Sequence, residues 1–215
     1  NETVIFFGEV QSAKKASETG TITYTCYDLL NHLLKSTGVY NFSNTTAERI
    51  TRKVCADLEI RTGNIAETKA TIKKMILDGD TFYDIIMKAY TKASEQTGKK
   101  YICRMNGAEL SVEEKGTVVK NFILAEEYNI TNAAYEETIE NMVKIYDDKG
   151  IQIDEVRENE LTARYGIYQR IYKKESGINA QAAAKGMLNG VEKHVTLDGI
   201  NGDLQCIAGN GVVVY

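Results

Sequence analysis

The 215-residue chain contains no proline and no tryptophan. Without proline, its turns rest on Gly, Asn and Asp, which reach or tolerate the backbone conformations that reversals need. The lack of tryptophan, and of any aromatic cluster that the sequence places at the surface, argues against a wall- or ligand-binding module. Histidine is nearly absent too: His32 and His194 are the only two, and neither has a second histidine or a cysteine at metal-ligand spacing. Cysteines Cys26, Cys55, Cys103 and Cys206 lie too far apart for a Cys-x-x-Cys zinc or redox motif. Their apolar neighbours predict four buried free thiols, as suits a reducing cytosol. No apolar run approaches the roughly 20 residues that span a bilayer, and no basic region followed by an apolar stretch opens the chain as a signal peptide would. Asn-x-Ser/Thr triplets at Asn1, Asn41, Asn44 and Asn129 therefore carry little weight. A basic stripe is also missing. The net charge is −4, with 10 basic and 8 acidic side chains in residues 1–75 against 8 and 12 in residues 116–176. Binding of nucleic acid through its phosphates is not expected.

What is present is an α+β pattern. Residues 80–98 read as one amphipathic helix with Phe82, Ile85, Ile86, Ala89, Tyr90 and Ala93 on a single face. Lys100 to Glu114 read as a hairpin turning at Asn106-Gly107. Further helices are predicted over 28–36, with Leu29, Leu30, Leu33 and Leu34 inward, and from Thr45, whose cap would pair with Glu48. That second helix presents Ala47, Ile50, Val54 and Leu58, with Gly63 beyond its end. A last helix covers 179–189. Strands are expected at 3–10, 21–27, 117–124, 167–172, 193–198, 203–207 and 211–215, with a polar loop at 11–20. A second hairpin is expected from 139–146 to 151–156 across Asp147–Gly150. Residues 69–77 fit a strand or a helical turn equally. The chain opens on Asn1 just before an apolar run and stops inside another, so both ends read as cut from a longer protein.

Catalytic chemistry finds little support. The acid pairs Glu126–Glu127, Glu136–Glu137 and Asp147–Asp148 are adjacent, and neighbours on a strand point to opposite faces. They therefore do not make the opposed carboxylates of a glycosidase. Asp147-Asp148-Lys149-Gly150 lacks the alternating acids and distal Glu of a calcium loop. Gly209-Asn210-Gly211 precedes a strand, whereas a phosphate cradle precedes a helix. Gly199 to Gly202 read as a turn, and no Gly-x-Ser-x-Gly elbow exists. No catalytic, cofactor-binding or metal residues are assigned, no cofactor is expected, and the chain reads as a non-enzyme. A peptidoglycan hydrolase and a cell-wall-binding module stand as the alternatives.

The order of several short motifs carries a resemblance. They are Tyr24-Thr-Cys-Tyr-Asp-Leu-Leu30, Leu34-Lys-Ser36, Tyr40-Asn-Phe42, Thr46-Ala-Glu48, Lys53-Val-Cys-Ala-Asp-Leu58 and Gly63-Asn-Ile65. Thr81-Phe-Tyr-Asp-Ile-Ile86, Thr97-Gly-Lys-Lys-Tyr101, Glu140-Asn-Met-Val143, Tyr165-Gly166 and Gly202-Asp-Leu-Gln-Cys-Ile-Ala-Gly209 follow. Together they resemble the XkdQ/YqbQ type of prophage tail protein, similar to late-control D proteins and to the hub part of type VI spike proteins. The resemblance implies a baseplate hub of a contractile phage tail or tail-derived bacteriocin, joining tail tube to central spike. It further implies a homotrimer in the full-length protein, tail tube and spike or baseplate proteins as partners, and no membrane or specific nucleic acid among them. The setting would be a tail particle assembled in the bacterial cytoplasm. In fold it implies β-barrel-like tube domains with an inserted helix-plus-hairpin domain. Residues 1–40 would belong to a first barrel lacking its N-terminal portion, 41–125 to the helical and hairpin domain, and 126–215 to a second, C-terminally truncated barrel-like domain. If the acidic surplus of 116–176 lined the channel, it would keep passing DNA from sticking.

Overall fold

The computed structural model describes residues 4, 6–125, 130–176, 178–188, 190–200 and 202–215, with Asn121 described by its backbone alone. It is a mixed α+β structure, and no sheet closes into a barrel among these residues. The chain divides into two compact units. One holds Asn1–Ala93, Lys99–Thr117 and Ile207–Gly209; the other holds Ser94–Gly98, Val118–Cys206 and Asn210–Tyr215.

The first unit begins with an antiparallel ribbon of β1 (Glu9–Ala16) and β2 (Thr21–Tyr27). Of the strand expected at 3–10, residues 3 and 5 lie outside the described residues, and of the others only Glu9 and Val10 belong to a strand, which runs on into the segment expected as a polar loop. Pairing explains the shift. A tight turn with Gly20 at φ +66° sets Ala16 opposite Thr21, and the register then runs back to Glu9 opposite Tyr27. Both strands are exposed, so hydrogen bonding to the neighbour, and not burial, decides where β1 lies. Helix α1 (Leu30–Lys35) follows. Of its expected inward leucines only Leu33 is fully buried, and Leu34 is exposed. One and a half turns offer the core too little surface for four leucines.

Strand β3 (Thr37–Thr45) has no counterpart in the sequence reading, although Tyr40 and Phe42 alternate with Asn41 and Ser43. Helix α2 (Ala47–Asp57) is capped from Thr46, one residue later than expected, without a side-chain capping bond. Instead of closing a capping box, the Glu48 carboxylate accepts from the amide and hydroxyl of Thr68 at 3.3 and 3.1 Å. The helix ends at Asp57 with Leu58 as its C-cap, and Glu59 just beyond takes φ +55°; Gly63 lies past the end, as expected, inside β4 (Arg61–Ile65). Strand β5 (Ile72–Thr81) resolves the ambiguous stretch and pairs antiparallel with β3.

Helix α3 (Phe82–Thr97) buries all six residues of its predicted face. Thr81 makes it start where it does: its hydroxyl accepts from the Asp84 amide at 3.1 Å and donates to the Asp84 carboxylate at 2.7 Å. Strands β6 (Tyr101–Asn106) and β7 (Glu109–Glu114) form the predicted hairpin, with Gly107 at φ +58°, and β4 adds to β7 in parallel. The core joins α2, α3, β5 and β7 through Ile50, Val54, Ile85, Leu77, Leu110 and Val112. Each such side chain contributes about 1.5–3 kcal/mol on burial. Within it, the Tyr90 hydroxyl donates to the Ala66 carbonyl at 2.8 Å.

The second unit pairs β8 (Val118–Leu124) in parallel with β14 (Gly211–Val214), and β9 (Asn132–Glu140) antiparallel with β13 (Gly190–Asp198). β10 (Met142–Tyr146) lies between β11 (Gln152–Arg157), antiparallel, and β12 (Gln169–Lys173), parallel. The strand expected over 139–146 is thus two strands, broken at Asn141. That side chain is fully buried, donating to the Gly166 carbonyl at 2.8 Å and accepting from the Tyr168 amide at 2.9 Å. Helix α4 (Asn159–Tyr165) was not foreseen. Helix α5 (Ala180–Met187) was, with Asn179 capping the amides of Gln181 and Ala182. Ala183 and Ala184 pack it onto Val143, Ile145 and Tyr172. No strand forms at 203–207. There the Asp203 side chain accepts from the Gln205 amide and its carbonyl from the Cys206 amide, which makes a turn. Among the described residues, four of the six sheets contain only two strands.

Candidate functional site

The residues weighed for chemistry in the sequence do not converge. His32 lies exposed on α1, its Nε2 3.1 Å from the Glu9 carboxylate. It borders an open cleft of about 270 Å³ with Leu29, Leu58, Glu59, Ile60, Arg61 and Ala108. His194 lies on β13 directly opposite Glu136 of β9. Glu136 and Glu137 point to opposite faces of that strand, as strand geometry requires. Glu126 and Glu127 lie outside the described residues. Asp147 serves its turn, accepting from the amides of Lys149 at 2.9 Å and Ile151 at 2.8 Å. It lines a cleft of about 410 Å³ with Asp148, Lys174 and Ser176. Gly209, at φ +93°, lies against Ile102, where a Cβ would come within 2.6 Å of a methyl group, and Gly211 opens β14. Among the described residues no three His, Cys, Asp or Glu side chains are placed to hold a metal ion.

The thiols divide in two. Cys55 and Cys103 are buried as expected, and desolvation pushes them up to about 11 and about 12. Cys26 and Cys206 are exposed, contrary to expectation, because the ribbon holding Cys26 has no covering layer and Cys206 lies in the turn after Asp203.

The features that stand out are two amphipathic ribbons. On β1/β2 the register gathers Val10, Ala13, Lys15, Ile22, Tyr24 and Cys26 on one face, and on the other, more polar one Glu9, Ser12, Lys14, Ala16, Thr21, Thr23, Thr25 and, at its end, Tyr27. Val10, Ile22 and Tyr24 remain 60, 52 and 59% exposed. On β9/β13 one face holds Tyr135, Glu137, Ile139, Val191, Lys193 and Val195; the other holds Glu136, Glu140, Glu192, His194 and Asp198. Tyr135 and Val195 are 57 and 52% exposed. Lys193 lies 5.9 Å from the Tyr135 ring centroid and 4.0 Å from Glu137. The Tyr135 hydroxyl donates to Glu137, which holds it above the ordinary phenol range. An isolated two-stranded ribbon is marginally stable at best, and its free edges are templates for further strands. The arrangement can bind and be extended.

The mixed α+β fold is shared with solved phage tail proteins. The chain matches the YQBQ-like family over residues 1–215 and belongs to that family. It is 34% identical over 120 residues to the phage-like element PBSX protein XkdQ of Bacillus subtilis (strain 168), covering 55% of this chain and 37% of the relative. With YqbQ of the same organism it shares 28% identity over 198 residues, covering 89 and 60%. The chain thus spans at most about 60% of these curated relatives. Among solved structures it is similar to the 43 kDa tail protein of prophage MuSo2 from Shewanella oneidensis. The TM-score is 0.61 at 18% identity, over 84% of this chain and 55% of that one. The tail protein of Neisseria meningitidis MC58 gives 0.57 at 14%, over 96 and 69%. Prophage tail protein gp18 of Listeria monocytogenes EGD-e gives 0.54 at 14%, over 95 and 66%. At these identities the likeness is one of fold.

Proposed function

We propose that this chain is a structural component of a phage tail, and within it part of a baseplate hub joining tail tube to spike in a contractile phage tail or tail-derived bacteriocin. The hub is a homotrimer of the full-length protein with no catalytic role. The observation that carries the reading is the set of unfinished sheets. Among the described residues four sheets stop at two strands, and two of them leave an apolar face exposed in a chain whose family and structural neighbours are tail proteins. Such edges suit a wall completed by neighbouring copies. On this reading residues 1–40 and 126–215 are wall segments and 41–125 an inserted domain, and the carboxylates of β9/β13 face the channel.

Sedimentation velocity of the full-length protein tests the assembly and is expected to give a trimer; a monomer at all concentrations overturns the hub. A turbidity assay on purified cell walls tests the chemistry and is expected to show no clearing. Clearing would transfer the chain to the peptidoglycan hydrolases.

A further inference from the structure

We propose that the outer edge of β1 in one copy joins the outer edge of β9 in a neighbouring copy, turning two ribbons into one four-stranded sheet. The inference rests on the trimeric reading above and adds to it which edges meet. Neither edge is hydrogen-bonded to another strand among the described residues. The two strands are of similar length, eight and nine residues, and both ribbons have one polar and one apolar face.

Charge selects the pairing. β1 holds the adjacent pair Lys14-Lys15 and β9 the adjacent pair Glu136-Glu137. Within each pair one side chain lies on the polar face, Lys14 and Glu136, and the other on the apolar face, Lys15 and Glu137. Joined in parallel with apolar faces on the same side, Lys14 comes opposite Glu136 and Lys15 opposite Glu137, which also lies 4.0 Å from Lys193; joined antiparallel, one lysine–glutamate pair is directly opposite and the other diagonal. Lys14, Lys15 and Glu136 have no ion-pair partner among the described residues, so all three are available. Like-with-like joining does the reverse. Two β9 edges would gather the glutamates at 136, 137 and 140 of both copies with no lysine on either strand, and two β1 edges would gather four lysines; like charges facing one another on strands are destabilising. The contact is thus heterologous, and heterologous contacts between identical chains close into rings or run on as filaments.

The test uses the full-length protein with Cys26→Ser and Cys206→Ser, which removes the exposed thiols of this chain. Lys14→Cys combined with Glu136→Cys is oxidised and run on a non-reducing gel. The expected result is covalent dimers and higher oligomers from the double variant only. Dimers from either single variant would mean that like edges meet, and a cross-link confined to one chain would mean that the edges join internally; either overturns the proposal. In parallel, Lys14→Glu/Lys15→Glu is expected to weaken assembly on the order of tenfold or more, and adding Glu136→Lys/Glu137→Lys to restore it. All four side chains are exposed, and circular dichroism checks that the variants fold. A trimer that withstands the lysine reversal and gives no cross-link refutes these edges while leaving the hub intact. A wild-type monomer removes both.

Discussion

Asn141 offers the sharpest check on how the second unit is held together. Its amide bridges two backbone groups that have no other side-chain partner, the Gly166 carbonyl and the Tyr168 amide, and thereby ties the start of β10 to the segment entering β12. Asn141→Asp keeps shape and volume but replaces the donor by an oxygen. When ionised, that oxygen faces the Gly166 carbonyl, and a charge is left in a fully buried site. An uncompensated buried charge costs about 3–5 kcal/mol, and the lost hydrogen bond is part of that loss. When protonated, the carboxyl again donates to Gly166. The folded-state pKa of the new group is therefore raised above the ordinary carboxylate value of about 3.9. The folded state then binds more protons than the unfolded state between the two values, so stability relative to wild type falls as pH rises through that window. The variant is expected to lie near wild type around pH 4 and to have lost about 3–4 kcal/mol by pH 7, since each pH unit above the unfolded value costs at most about 1.4 kcal/mol. Amide exchange at Val143 and Ile145 and calorimetry across that pH range are the assays. A variant within about 1 kcal/mol of wild type at pH 7, or a deficit independent of pH, would refute the reasoning.

Three further outcomes are expected. Glu59→Gly should stabilise the first unit by about 0.5–1 kcal/mol, because Glu59 holds φ +55° at the end of α2, and a thermal melt should show the rise. Thr81→Ala should destabilise it by roughly 1 kcal/mol in urea titration, since it removes the hydroxyl that caps the Asp84 amide. A thiol reagent at pH 8 should label Cys26 and Cys206 quickly and Cys55 and Cys103 only on denaturation, because burial both shields the latter pair and raises their pKa.

The legible parts of the fold were those where periodicity, a cap and a turn agreed. Residues 80–114 are the clearest case: the six-residue face of α3, its stop at Gly98 and the Asn106-Gly107 hairpin all appear as read. Helix α5 was read over 179–189 and forms over Ala180–Met187, with Asn179 as its cap. What escaped was set by partners distant in sequence. β1 is polar and exposed, and only its pairing with β2 fixes it. The break at Asn141 depends on Gly166 and Tyr168, 25 and 27 residues away. Glu48 looked like a capping residue because Thr45 precedes it, yet Thr68 takes its carboxylate. The ribbons were legible as strands, while their lack of a covering layer was not. Alternation marks an apolar face but does not say whether the same molecule buries it.

The last element of the first unit to be synthesised comes from far along the chain. Residues 207–209 belong to that unit: the Gly209 carbonyl accepts from the Gly116 amide at 2.8 Å, and the Ala208 carbonyl from Arg104 at 3.4 Å. Nearly a hundred residues leave the ribosome between the β6/β7 hairpin and the segment that docks on it. At about 5–20 residues per second this leaves the hairpin's flank bare for several seconds of translation. Maturation of this unit therefore cannot be complete until the second has been almost entirely made, and a nascent chain stalled before position 207 would present that flank to the chaperones.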